Sequence, residues 1–75
     1  MTIQASMNQL AVDSGPGWAM FHIETPIGDT LEVTYTMPNK VRAEWLVWSN
    51  VKQDWIGVKV AWASVKHLVP ATLFS

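Results

Sequence analysis

Apolar and polar residues alternate most regularly over Thr30 to Met37. Leu31, Val33, Tyr35 and Met37 fall on one side, and Thr30, Glu32, Thr34 and Thr36 on the other. That period of two predicts a strand with one buried face. Trp18 to Glu24 is strand-like as well. Between the two, Thr25-Pro26-Ile27-Gly28-Asp29 carries Pro and Gly where a hairpin turn needs them. Residues 18–37 are therefore predicted to form a β-hairpin, ended by Met37-Pro38-Asn39-Lys40.

The segment before the hairpin supports two patterns. Ile3, Met7, Leu10 and Ala11 make a helical stripe behind a Thr2 cap, while Ile3, Ala5 and Met7 alternate with Thr2, Gln4 and Ser6 as in a strand. Asp13-Ser14-Gly15-Pro16-Gly17 breaks either element.

The C-terminal half repeats the pattern W-x-x-V-K-x-x three times in tandem, starting at Trp48, Trp55 and Trp62. A period of seven is the helical heptad. In a helix over 41–69, Val41, Trp48, Trp55, Trp62 and Val69 would fill one seam position, and Val51, Val58 and Val65 the other, with Glu44 the exception. Asn39 would cap it and Pro70 would stop it. Against the helix stand Gly57 in mid-segment, the Ser49-Asn50 pair and the β-branched run Ile56 to Val60. The β reading places a strand at Val41–Trp48, a loop at Ser49–Asp54 and a strand at Trp55–Val65. A step of seven along a strand flips faces, so in that reading the repeat has no structural role. The balance favours a mainly β fold, a small antiparallel sheet or SH3-like barrel built on the 18–37 hairpin. The alternative is α+β with a C-terminal heptad helix at 41–69.

The tail Leu68-Val69-Pro70-Ala71-Thr72-Leu73-Phe74 resembles the short turn and last strand that close an SH3-like barrel. Gly28-Asp29-Thr30-Leu31-Glu32-Val33 resembles the second strand of such barrels. The acidic loop and the peptide-binding aromatic motif of SH3 domains are missing. The resemblance implies a small barrel shape and carries no function.

Composition turns attention from the interior to the surface. The chain has 75 residues, enough for one domain spanning 1–75; 49% are apolar, 15% charged, and five are Trp. A chain this short buries only about 60% of its unfolded surface, and it has no Cys for a disulfide or thiolate site. Five indoles do not all fit one such core, so some are expected at an interface. A disordered tail, a disulfide mini-protein and a Cys-type zinc finger are excluded. Charge is divided. Residues 1–37 carry Asp13, Glu24, Asp29 and Glu32 without Lys or Arg, a net of −4. Residues 38–75 carry Lys40, Arg42, Lys52, Lys59 and Lys66 against Glu44 and Asp54, a net of +3. The absence of a basic leader and of any long apolar run predicts an intracellular protein, or one inside an assembled particle, with no membrane span.

Little in the sequence points to catalysis or cofactors. His22 and Glu24 share a strand face but lack a third ligand, and Ser14, His22 and Asp13 have no triad spacing. Gly15-Pro16-Gly17 reads as a turn rather than a phosphate loop, and Glu24 with Glu32 as exposed carboxylates. No catalytic, cofactor-binding or metal residues are therefore assigned. The Trp/Lys repeat is the one feature with functional promise. Trp45, Trp48, Trp55 and Trp62, flanked by Lys52, Lys59 and Lys66, are the expected interface. The expected function is a small non-enzymatic protein that forms a homo-oligomer or docks on a larger protein, of the kind used as a coat, decoration or inhibitor protein by a virus or mobile element. One alternative is a barrel that binds single-stranded nucleic acid with the same residues. Another is an oligomeric enzyme with a shared central site.

Overall fold

The computed structural model describes residues 10–70. Five antiparallel strands form one sheet in sequence order: β1 (Asp13–Gly15), β2 (Trp18–Glu24), β3 (Thr30–Thr36), β4 (Lys40–Ser49) and β5 (Asp54–Val60). A short helix α1 (Trp62–Val65) and a 3₁₀ turn (Lys66–Leu68) follow. The fold is mainly β, as the alternation predicts. Residues 41–60 are strand and hairpin loop, so the heptad helix over 41–69 does not form. Gly57 and the β-branched run around it favour extended backbone over helix. The sheet is open, with β1 and β5 at opposite edges among the described residues. The choice of helix or strand over 2–9, and the last strand of the SH3-like resemblance at 71–74, lie outside the described residues.

The turns follow from their sequences. Pro16-Gly17 is a two-residue link between β1 and β2, with Gly17 at φ +78°. A Cβ on Gly15 would lie 2.4 Å from the Trp18 indole Nε1, so the ring lies against bare backbone. At the β2–β3 turn, the Thr25 backbone N–H donates to the Asp29 carbonyl at 2.9 Å and the Gly28 N–H to the Thr25 carbonyl at 3.0 Å. Thr25 is buried, and its Oγ1 accepts from the Asp29 N–H. Gly28 holds φ +86°, as a type I turn followed by a left-handed bulge residue requires. After β3 the Met37–Pro38 peptide is cis, and the Tyr35 hydroxyl donates to the Pro38 carbonyl.

Pairing sorts the sheet into two faces. On one, cross-strand rows run Phe21–Val33–Ala43–Val60 and Ile23–Leu31–Trp45–Val58. Ala19, Phe21, Leu31, Val33 and Ala43 are buried there, under Val65 and Val69. On the other face, His22, Glu32, Glu44 and Lys59 make a charged row. The second C-terminal strand ends at Val60 rather than at Val65. Beyond it, Trp62, Val65, Leu68 and Val69 recur at helical spacing, and α1 with its 3₁₀ turn lays them against the apolar face.

Two contacts beyond the apolar core are expected to hold this arrangement. Gly15→Val would displace the Trp18 ring, and Asp29→Ala would remove the carboxylate that accepts from the Trp45 indole Nε1 at 2.7 Å. Chemical denaturation should show losses of about 1–3 kcal/mol for the first and about 1–2 kcal/mol for the second. A change below 0.5 kcal/mol in both, about the scatter of neutral surface substitutions, would contradict these assignments.

Candidate interaction surface

β4 is ten residues long, but β3 pairs with it only from Lys40 to Leu46. Val47, Trp48 and Ser49 pair with β5 alone, opposite Ile56, Trp55 and Asp54. The end of the β4–β5 hairpin therefore projects past the rest of the sheet as a two-stranded arm. Its loop is held locally. The Lys52 N–H donates to Ser49 Oγ, the Gln53 amide to the Asn50 carbonyl and the Trp55 N–H to Asp54 Oδ1. Gln53 takes a left-handed φ of 53° where the chain reverses.

The arm is apolar on both faces. Trp48 and Trp55 face one another on the side of the charged row, with ring centroids 5.7 Å apart in an edge-to-face contact. Val47 and Ile56 lie opposite one another on the other side, next to the Trp45–Val58 pair. Exposure is high, at 47% for Trp48, 45% for Trp55, 56% for Val58 and 95% for Val51 at the tip. Of the other exposed apolar residues, Ile27 and Met37 sit singly in turns, and Leu10 and Val12 precede β1. Scattered residues of that kind are ordinary on protein surfaces, whereas a contiguous cluster marks a contact site.

The expected interface residues are only partly brought together. Trp48, Trp55 and Lys52 share the arm. Trp45 lies at its base, half-buried, bonded to Asp29 and packed against the core. Trp62 opens α1 and packs against the core. Lys59 stands opposite Glu44 in the charged row, and Lys66 is exposed beside α1. The three lysines thus fall on the tip, the sheet face and the helical segment, without forming one basic track. Val47, Ile56 and Val58 join the surface although the repeat did not single out all of them. Their signal is the register of the hairpin, which sequence alone leaves open.

The seven-residue step does have a structural consequence, which corrects the inference that in strands it has none. Across a hairpin that turns at Asn50–Gln53, residues 48 and 55 become cross-strand partners, and the repeat sets the two indoles edge to face across the pair.

The remaining polar clusters are surface features. His22 Nε2 lies 3.1 Å from Glu32 Oε2, a cross-strand contact, while Glu24 faces Thr30. Glu24 and Glu32 are therefore not paired with each other. The Asp13 carboxylate accepts from the Ser14 backbone N–H. Among the described residues, no three His, Asp or Glu side chains are grouped to hold a metal ion. No helix among them is long and apolar enough to cross a membrane.

Comparison with protein-family models, with curated proteins and with solved structures found no match.

The Trp48–Trp55 contact has a spectroscopic consequence. Two coupled indoles give an exciton band in far-UV circular dichroism, which should vanish in Trp55→Val and persist in Trp18→Phe. The Trp55→Val change should cost about 0.5–1.5 kcal/mol of stability from the lost aromatic pair. Persistence of the band in Trp55→Val would show that the two rings are not the coupled pair.

Proposed function

We propose that the chain is a small, non-enzymatic interaction protein whose contact surface is the projecting end of the β4–β5 hairpin. The exposed apolar arm carries this reading. A 75-residue chain has little apolar surface to spare, yet Trp48, Val51, Trp55, Ile56 and Val58 are placed in solvent together. Indoles in such clusters are common energetic anchors of protein contacts. Lys52 at the tip supplies a flanking polar contact. The role fits a protein that assembles with copies of itself or seats on a larger protein, as coat, decoration and inhibitor proteins do. The dispersed lysines favour a protein partner over a nucleic-acid strand, which needs a continuous cationic track beside its stacking platform.

Site-specific photo-crosslinking tests this reading. A photoreactive residue at Val51 or Val58 should give protein adducts in cells that make the chain, whereas one at exposed Asn39 should give few. Nucleic-acid adducts from the arm, or equal yields from all three positions, would overturn the proposal.

A further inference from the structure

The two edges of the sheet differ. β1 has three residues, contains Asp13 and Ser14, and is followed at once by Pro16. It is short, polar and interrupted, as protected edges are. β5 has seven residues, no proline and an apolar residue at four of them, and it lies at the sheet edge among the described residues. Its single Lys59 stands opposite Glu44 on the neighbouring strand. Devices that blunt a sheet edge are present on one side and sparse on the other.

We infer that β5 pairs antiparallel with β5 of a second copy, joining two five-stranded sheets into one. This rests on the arm being the contact surface and names its partner. A two-fold axis normal to the sheet keeps like faces together, because antiparallel partners directly opposite share a face. One register pairs all seven residues, with Gly57 opposite Gly57 at the axis. Ile56 then faces Val58 of the second copy, and Trp55 faces its Lys59.

That register completes rows which otherwise end in solvent. The apolar row Ile23–Leu31–Trp45–Val58 stops at the exposed β5 edge. Pairing extends it through Ile56 and Val47 of the second copy. On the opposite face, the charged row ending in Lys59 continues into Trp55 and Trp48 of the second copy, setting an ammonium beside an indole. No like charges are opposed: Asp54 faces Val60 at each end. The strand is thus complementary to itself in chemistry, which selects a second copy over an unrelated strand.

Charge complementation tests the inference. I56E/V58E and I56K/V58K each oppose like charges twice across the pairing, and all four changes lie on exposed positions. Light scattering should show a dimer for the native chain and monomers for each variant, with about a hundredfold or greater loss of affinity. An equimolar mixture of the two variants should regain the dimer. A native monomer throughout the concentration range would overturn the pairing, as would dimers of both variants or a mixture that stays monomeric. Crosslinks from the arm to a different protein would, in those cases, leave the arm as contact surface. A milder pair of variants guards against misfolding. Ile56→Cys mixed with Val58→Cys should form the mixed disulfide under oxidation more readily than either alone forms its own. Equal yields would reject this register.

Discussion

The structure depends on how a single sheet covers its apolar face. The cover available among the described residues is short: α1 and one 3₁₀ turn, contributing Val65 and Val69 to the buried cluster, with Trp62 and Leu68 beside them. That cover closes over Phe21, Leu31, Val33 and Ala43. β4 and β5 continue past it. On that face Ile56 and Val58 are in solvent because strand pairing runs farther than the segment that shields it, while Trp48 and Trp55 lie on the opposite face, which that segment does not cover; together they make the arm. Burial of apolar area is the main favourable term in folding, so uncovered indoles and aliphatics retain that free energy for association.

Polar contacts at the two ends of the arm hold it in place. The Trp45–Asp29 hydrogen bond anchors the base of the arm to the β2–β3 turn, and Thr25 and Gly28 shape that turn so that Asp29 is presented. Trp45 therefore belongs to the body although it lies three residues from exposed Trp48. At the other end, the local hydrogen bonds of Ser49, Asn50 and Asp54 hold the loop without help from the body. The arm is a hairpin with a locally bonded loop, anchored at its base through Trp45.

The sequence shows some of this plainly. The 18–37 hairpin is legible because Leu31, Val33 and Tyr35 alternate with Thr and Glu, and because Pro26 and Gly28 mark the turn. The strands in the C-terminal half are legible only in part: the β-branched run Ile56 to Val60 favours β5, while the seven-residue repeat keeps a helix over 41–69 open. The end of β5 is not legible. Val58 and Val60 continue their alternation into Trp62, while Trp62, Val65 and Val69 also satisfy a helix, and only the need to cover the core face decides between them. The pairing of Trp48 with Trp55 was hidden for a related reason. A seven-residue spacing favours a helix seam when read along the chain, and becomes a cross-strand pair only once the hairpin centre is known. Lysines at the same offsets separate in space because one lies in a loop, one in a strand and one beside a helix.

The central claim is that the outer edge of β5 is the contact edge. Amide hydrogen exchange resolved by residue, followed from dilute to concentrated protein, tests it most directly. The account predicts protection that rises with concentration in β5 and leaves β1 unchanged. Protection that is independent of concentration in both strands, or that rises in β1 instead, would contradict it.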